Sequence, residues 1–243
     1  MMPDLPTLHT VMTTASDVEI RGFRSSGDAA LMWWRRLRDS HPQTGHWPVL
    51  IDGDAPAYFA ADFGMQPTTL IELSSTIDGA AVLAERGRDR LRRYPPNLAA
   101  GVTAELDGQS PWPDAPRRPG HSLPFGYDGR PVEVTIALIP ATAGWHVPAV
   151  LSYGGWNEYP DPADHCAILR HWHERYKAEL VVLTGTTAEF AIGRPPTTHA
   201  DALALAWEYR NYNNGEYDYY DAETITELAA ALLDAPVWLC WWD

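Results

Sequence analysis

The sequence predicts an α/β (α+β) protein, a mixed β-sheet with helices packed on it. Short runs rich in Val, Ile and Leu alternate with longer segments in which apolar residues recur every three or four positions. These are the patterns of buried strands and of amphipathic helices. Of the 243 residues, 45% are apolar, which is enough to build a packed core. Both observations favour helices that cover a sheet.

Residues 1–106 are predicted to form a smaller αβ region at the N-terminus. Four elements are expected there: a helix at 28–38, a strand at 47–51, a second strand at 69–73 and a helix at 79–93. The first helix carries Leu31, Trp34 and Leu37 on one face. The second helix ends before Pro95 and Pro96, because proline lacks the N–H that a continuing helix needs.

Residues 107–126 are rich in proline and lack apolar periodicity. This composition is typical of an extended connection between structured parts. We therefore predict a linker at 107–126, followed by a C-terminal domain at 127–243.

The C-terminal domain is predicted to run strand, helix, strand, strand, helix, helix, strand. Strands are expected at 132–139, 180–183, 189–192 and 237–242, and a further strand at 147–153 is expected to pair with the first of these. Asp161 is a good N-cap and Pro162 suits the first turn, so a helix is predicted from there to about Tyr176. Thr198 and Asp221 are predicted to cap the other two helices.

The formal charge of −14 limits the partners of this chain. It arises from 32 acidic against 18 basic residues. Such a field repels phosphate backbones and anionic lipid, so neither nucleic acid nor a membrane is predicted as a partner. The main basic cluster, five arginines from Arg86 to Arg93, is interrupted by acidic residues, as in a solvated helix face. A basic protein is the partner that this charge favours.

Two features of the sequence bear on the cellular compartment. No run approaches about 18 apolar residues, and residues 1–16 lack the basic start and apolar stretch of a signal peptide. The two cysteines, Cys166 and Cys240, lie in apolar patterns that indicate buried thiols. A reducing cytoplasm is therefore expected.

Several uncommon residues follow one another in a characteristic order in the C-terminal half. They are Gly154–Asn157 (GGWN), Pro160, His165, Leu169, Arg170, Trp172, Tyr176, Glu179, the PPTT segment from Pro195 and the closing PVW and WWD. With this pattern, residues 132–243 resemble the bacterial family called domain of unknown function 4253, and the upstream WWRRLR and TGHWPVLI segments are similar to the N-terminal part of many members. The resemblance implies a fold and a cytoplasmic bacterial setting, but no activity. Relatives often have a cysteine at the position of Tyr159, so a thiol nucleophile is not expected there.

His165 is the first candidate for a functional side chain. On the helix predicted from Pro162, a rotation of about 100° per residue places His165 on the same apolar face as Ile168 and Trp172. The positive end of the helix and burial both disfavour protonation, so a neutral imidazole is expected. Such a ring serves either as a general base or as a hydrogen-bonded core residue. The two interpretations differ in whether its second nitrogen faces a cavity.

The loop Gly154-Gly155-Trp156-Asn157 is the second candidate. The paired glycines permit positive φ and the close approach of another backbone, Trp156 offers a flat surface, and Asn157 supplies a donor and an acceptor. Ligands of α/β proteins favour the crevice at the carboxyl ends of strands, where this loop is expected to lie. The same residues also fit a tight turn with a tryptophan over the core.

No metal or cofactor site is predicted. His171 and His173 are about 200° apart on their helix, so only His165 and His173 could converge, and a site with these two histidines would need a carboxylate from elsewhere. The glycine doublet has neither dinucleotide-binding spacing nor the Lys-Ser/Thr pair of a phosphate loop, and Ser152 has no assigned base. Cys166 is expected to be a buried structural thiol.

Residues 211–221 (NYNNGEYDYYD) form a tyrosine-rich, acidic loop. Adaptable binding loops have this composition, so Tyr217, Tyr219 and Tyr220 are candidate binding residues. The alternative is a solvated connection rich in turn formers.

Two function hypotheses follow. The first is a non-catalytic interaction protein, comparable to the small acidic immunity proteins that neutralise bacterial toxins, because negative charge and an excess of Trp and Tyr suit the capture of a basic partner. The second is a hydrolase or transferase acting on a small polar molecule under the GGWN loop, with His165 as the base. Asn157, Arg170 and Trp156 would then position the substrate. Arg170 lies about 140° from His165 around the helix, which counts against a shared site.

Overall fold

The computed structural model describes residues 5–59, 63–114, 117–126, 128–157, 159–213 and 220–242. Seven strands in these ranges form one mixed sheet with helices packed on it, which confirms the predicted α/β class. The strands are β1 (His9–Thr13), β2 (Glu19–Ser26), β3 (His46–Ile51), β4 (Glu133–Pro140), β5 (Ala178–Leu183), β6 (Thr187–Ile192) and β7 (Val237–Trp241).

The strands follow the order β1-β2-β4-β3-β5-β6-β7 across the sheet. β3 and β5 run parallel, and the other neighbouring pairs in the described sheet are antiparallel. Nearly every residue of β3 and β5 is buried, as expected for strands covered on both faces. Their carboxyl ends, at Ile51 and Leu183, lie at the same edge of the sheet, and this edge carries the candidate site.

Helices in the described residues cover this sheet. They are α1 (Gly27–Thr44), α2 (Ala55–Tyr58), α3 (Pro67–Thr76), α4 (Gly79–Arg93), α5 (Pro96–Leu106), α6 (Val147–Leu151), α7 (Pro162–Tyr176), α8 (His199–Tyr212) and α9 (Ile225–Leu232). The indoles of Trp34 on α1 and Trp47 on β3 both donate to the carbonyl of Leu180, at 3.2 and 3.0 Å, which fixes α1 over the parallel pair. Among the described helices, none has the length and apolar character that crossing a membrane requires.

Helix α7 is the central element of the C-terminal half. It begins after Asp161 with Pro162 in the first turn, as predicted, although the Asp161 side chain makes no capping hydrogen bond. Its Trp172 ring meets the rings of Phe190 and Trp238 edge-on, with centroids 6.0 and 5.7 Å apart. These contacts place α7 against β6 and β7 and set the orientation of its other buried side chains.

Strands from both sides of the proline-rich segment are hydrogen-bonded into one sheet. β4 follows that segment, and it lies between β2 and β3, which precede it. The segment itself lacks helix or strand within its described residues, apart from an isolated bridge between Phe125 and Pro131. The two predicted parts of the chain therefore share their sheet.

Two segments predicted as strands are helices. Residues 69–73, predicted as a strand, belong to α3, whose buried residues Leu70 and Ser74 have the four-residue spacing of a helix face. Residues 147–153, predicted as the strand partner of β4, contain α6, with Pro148 in its first turn. β4 pairs with β2 and β3 instead.

The predicted cap of the last helix is also wrong. The hydroxyl of Thr224, not the carboxylate of Asp221, accepts a free N–H in the first turn of α9, from Glu227 at 3.1 Å. The Glu227 carboxylate in turn accepts the Thr224 N–H at 3.1 Å, which completes a capping box. Asp221 lies three residues earlier at a φ of 53° and pairs with Arg117.

Candidate functional site

His165 lies within a group of buried aromatic rings beneath the GGWN loop. Its side chain has no exposed surface, and the ring centroids of Tyr153, Tyr212 and Trp242 are 5.2, 5.4 and 5.9 Å away. The inward orientation predicted from helical spacing is confirmed. The three rings come from the connection after α6, from α8 and from the residue after β7, so tertiary packing alone assembles them.

The imidazole of His165 has one hydrogen-bonded nitrogen and one without a partner. Nδ1 lies 2.8 Å from the Tyr212 hydroxyl oxygen. Neither Nε2 of His165 nor the hydroxyl of Tyr153 has a hydrogen-bond partner among the described residues. Burial, with a smaller contribution from the charge of Arg86, lowers the pKa of His165 from 6.5 to about 3. The ring is therefore neutral near pH 7, as predicted.

The GGWN loop closes on this ring in a conformation that requires glycine. Gly154 and Gly155 have φ values of 118° and 80°, and the Gly155 N–H donates to the Pro160 carbonyl at 3.0 Å. A Cβ on Gly154 would overlap the Pro160 carbonyl oxygen and lie 2.7 Å from Cδ2 of His165. The loop backbone therefore packs directly on the imidazole and separates it from solvent.

Three partly exposed rings, one of them from the loop itself, lie on the outer side of the loop. Tyr58, at the end of α2, packs on Gly185 in the turn after β5, where a Cβ would overlap the phenol ring. Phe63 packs on Gly155, where a Cβ would lie 2.6 Å from its ring. The Trp156 ring completes the layer, with its centroid 6.3 Å from that of Tyr58. The rings thus gather at the carboxyl ends of β3 and β5, where ligands of α/β proteins commonly bind.

Carboxylates lie next to these rings. The position that a Cβ on Gly155 would take is 3.1 Å from Oδ1 of Asp161 and 2.6 Å from the Phe63 ring, so carboxylate and ring adjoin. Asp161 is exposed, and its side chain does not cap α7. Asp52 and Asp54 lie on the connection that follows β3. We call Tyr58, Phe63, Trp156 and Asp161 together the aromatic–acidic face.

The structure does not bring Arg170 to His165. Its guanidinium donates to the carbonyl of Ile77, after α3, at 2.8 Å. Asn157 is exposed on the GGWN loop at a φ of 44°. Among the predicted site residues that the structure describes, Gly154 packs on the imidazole of His165, and Gly155 and Trp156 contact the rings outside it.

Of the three candidate binding residues in the tyrosine-rich loop, the structure describes one, Tyr220. Tyr220 is 3% exposed, and its hydroxyl accepts the Leu239 N–H at 3.1 Å, which ties it to β7. Tyr217 and Tyr219 lie outside the described residues.

Other reactive side chains have separate structural partners. Nε2 of His171 lies 3.1 Å from the Glu208 carboxylate, and Nδ1 of His173 lies 3.2 Å from the Ala178 carbonyl. Over the described ranges, no group of three or more His, Cys, Asp or Glu side chains could hold a metal ion. Burial raises the pKa of Cys166 to about 12. That thiol is therefore protonated and a weak nucleophile.

Sequence reasoning missed the outer rings of this site. Tyr58 and Phe63 follow β3, and their position at a strand end was visible in the sequence. The rule that ligands bind at carboxyl ends of parallel strands points to them only once β3 and β5 are known to be parallel neighbours.

Comparison with known proteins finds a family for the C-terminal part. Residues 135–243 match the family model described as Domain of unknown function (DUF4253), which confirms the predicted resemblance over this range. The matched range contains the GGWN loop, His165 and strands β5 to β7. No curated protein and no solved structure matches the chain.

Proposed function

Starting from the match of residues 135–243 to the domain of unknown function 4253 family, we propose that the chain is a non-catalytic protein that binds a basic protein partner. The aromatic–acidic face is the proposed binding surface. The observation that carries the proposal is the group of partly exposed rings beside the exposed Asp161 carboxylate. In this role the protein would act like the small acidic immunity proteins of bacteria that neutralise toxins.

Rings beside a carboxylate suit a lysine or arginine side chain. Tyr58 is 42% exposed, so part of its ring is open to a partner. A cationic head over such a ring gains cation–π energy, and a carboxylate adds a charge-assisted hydrogen bond. Trp and Tyr also supply a large contact area at a low cost in conformational entropy.

The net charge of −14 supports the same partner. A strongly negative protein attracts a basic one over several ångströms, which raises the association rate and disfavours acidic competitors. This contribution weakens as salt screens the charges. Binding is therefore expected to be tighter at low salt.

The burial of His165 beneath the aromatic–acidic face supports a structural role for this residue. The imidazole has no exposed surface, and Arg170 is held by a backbone carbonyl at another helix. A substrate in solution would therefore not reach the imidazole in this conformation, and Arg170 would not share a site with it. Both cysteines are free and buried, which suits the reducing cytoplasm where we propose that the protein acts.

Affinity capture followed by a binding measurement tests the proposal. The immobilised chain is exposed to an extract of its source cell at low and at high salt, and the retained protein is identified and purified. We expect a basic protein, retained more strongly at low salt. The double variant Trp156→Ala/Asp161→Asn should raise the Kd for this partner by about tenfold or more.

The matched control carries the same types of change on α5 and at the residue that follows it. Leu98 is 48% exposed, and the variant Leu98→Ala/Asp107→Asn should change Kd by less than about twofold. Asp161→Asn alone tests the charge if loss of the indole lowers stability. Recovery of no protein at either salt, or equal binding by both double variants, would remove the basis of the proposal.

A small-molecule hydrolase or transferase is the second candidate, because Nε2 of His165 and the Tyr153 hydroxyl lack partners in the described part of the chain. Catalysis would require the GGWN loop to open. Modification by diethyl pyrocarbonate, mapped by mass spectrometry, tests this opening, with the exposed His46 as internal control. Modification of His46 with none at His165 would argue against an enzyme.

A further inference from the structure

The carboxylate of Glu189 on β6 is completely buried, and residues 121–123 supply its hydrogen bonds. The Ser122 N–H donates to both carboxylate oxygens at 3.1 Å, and the Ser122 hydroxyl donates at 2.6 Å. The Leu123 N–H donates at 3.1 Å, and Nδ1 of His121 lies 3.0 Å away. A carboxylate has about four acceptor positions, so one short stretch of chain satisfies it.

Glu189 occupies a strand position where an apolar residue would be usual. The next residue, Phe190, contacts Trp172 of α7, so the alternation of a strand directs Glu189 to the other face of the sheet. A buried carboxylate without donors is strongly unfavourable. The side chain therefore acts as a receptor for the N–H and hydroxyl groups of a peptide segment.

The bound segment has the properties of a peptide ligand. Residues 117–126 have no helix or regular strand, and Pro119 and Pro124 each fix one φ angle, which reduces the entropy lost on binding. Residues 122–125 form a turn, in which the Phe125 N–H donates to the Ser122 carbonyl at 2.9 Å. A second attachment, the ion pair between Arg117 and Asp221, has side chains that are 57% and 73% exposed and contributes little. Glu189 is thus the principal polar anchor.

The family model covers Glu189 but not the segment that binds to it. The matched range, residues 135–243, contains Glu189 but excludes residues 117–126. The acceptor therefore belongs to the recognisable domain, whereas the donors belong to a preceding segment.

We propose that Glu189 is the centre of a peptide-binding site, which residues 121–123 occupy within this chain and which a peptide of the same chemistry from a partner protein occupies in exchange. That peptide is proline-flanked, forms a turn that begins at its serine, and presents two consecutive backbone N–H groups and the serine hydroxyl. The site is independent of the aromatic–acidic face, because its residues and its ligand are different.

A fluorescent peptide with the sequence of residues 117–126 tests the proposal by anisotropy titration. The receptor is the full chain with Ser122→Pro, which removes the Ser122 N–H and hydroxyl and so weakens the internal segment. We expect this variant to bind the peptide about tenfold or more tightly than the wild type, in which the internal segment competes at a high effective concentration. A control peptide with the same serine replaced by proline should bind at least about tenfold more weakly.

A second variant is used as receptor in case Ser122→Pro does not fold. Ser122→Gly removes the hydroxyl but keeps the N–H, and it should bind the peptide with an affinity between those of the wild type and Ser122→Pro. Circular dichroism establishes which receptors are folded. Absence of binding to the folded variants, or equal binding of the two peptides, would overturn the proposal. A wild-type dimer that Ser122→Pro dissociates would assign the site to a second copy and overturn the partner-protein assignment.

Discussion

The buried imidazole of His165 couples the stability of the fold to pH. Its pKa is about 3 in the folded chain and near 6.5 in an unfolded one. Below the unfolded value, the unfolded chain takes up a proton that the folded chain excludes, so acid favours unfolding. At higher pH the ring is neutral in both states and adds no pH dependence.

His165→Gln should therefore make the free energy of unfolding less sensitive to acid. Between about pH 7.5 and pH 5, we expect the wild type to lose about 2 kcal/mol more of its free energy of unfolding than the variant, with a slope that approaches about 1.4 kcal/mol per pH unit at the acid end. Urea unfolding at about pH 7.5 and pH 5 measures the difference. Burial also lowers the pKa of His146. This residue is present in both proteins, so its contribution to the pH dependence is the same in each. Equal slopes in the two proteins would contradict the burial of the His165 ring.

Gly154 provides a second prediction for a single residue. At a φ of 118°, and with Pro160 and His165 against it, an added methyl group has no strain-free position. Gly154→Ala should lower the free energy of unfolding by about 3 kcal/mol or more. Gly101→Ala is the control, because this helical glycine has nothing within 4 Å of the added carbon.

The control should gain about 0.5–1 kcal/mol, since alanine restricts the unfolded chain and suits a helix. Thermal and urea unfolding of both variants give the comparison. Similar effects of the two substitutions would mean that the GGWN loop is not fixed by its glycines.

Among the elements, α9 gives a test of its capping box. Thr224→Ala removes the side-chain acceptor for the Glu227 N–H and should cost about 1 kcal/mol. Asp221→Asn, at the cap predicted from sequence, should change stability by less than about 0.5 kcal/mol, because it affects only an exposed ion pair and asparagine tolerates positive φ. Urea unfolding distinguishes the two. A larger loss for Asp221→Asn would place the cap at the earlier residue.

Helices with strong local signals were predictable from sequence. The predicted ranges 79–93 and 162–176 are those of α4 and α7, because caps and prolines mark their ends. The runs at 69–73 and 147–153 are short and apolar, and periodicity alone does not separate a short buried helix from a strand. Both of these segments pack against α7, so their state depends on contacts distant in sequence.

Strands β1 and β2 were not predicted, for a related reason. β1 lies at the edge of the sheet and is largely exposed, so its sequence lacks an apolar run. In β2, buried and exposed residues only partly alternate. Their strand state follows from pairing, with β2 joined to β4 more than 100 residues later.

The candidate site was predictable along α7 and in the GGWN loop that precedes it, where positive φ at the glycines was expected. Helical spacing gave the inward orientation of His165 and its separation from Arg170, because both lie on α7. It gave no indication of Tyr212 or Trp242, which reach the ring through tertiary packing. Tyr58 comes from the N-terminal half, on the far side of the segment predicted to separate two domains.

For the molecule as a whole, the strand order makes each half of the sheet depend on the other. β4 pairs with β2 along residues 21–26 and with β3 along residues 46–51. Residues 127–243 alone would leave β4 without both partners and β5 without its parallel neighbour. The exposed edges would present unpaired N–H and C=O groups, which favour aggregation.

We therefore expect residues 127–243, expressed alone, to lack the cooperative thermal transition of the full chain. Besides the missing strands, Glu189 would lose the donors from residues 121–123 and remain a buried, unpaired charge. Co-expression with residues 1–126 as a separate polypeptide should restore the transition, because association supplies β2, β3 and those donors. Circular dichroism and size-exclusion chromatography measure both outcomes. A fragment that unfolds cooperatively by itself would instead support two independently folding parts, with the shared sheet formed by docking rather than by joint folding.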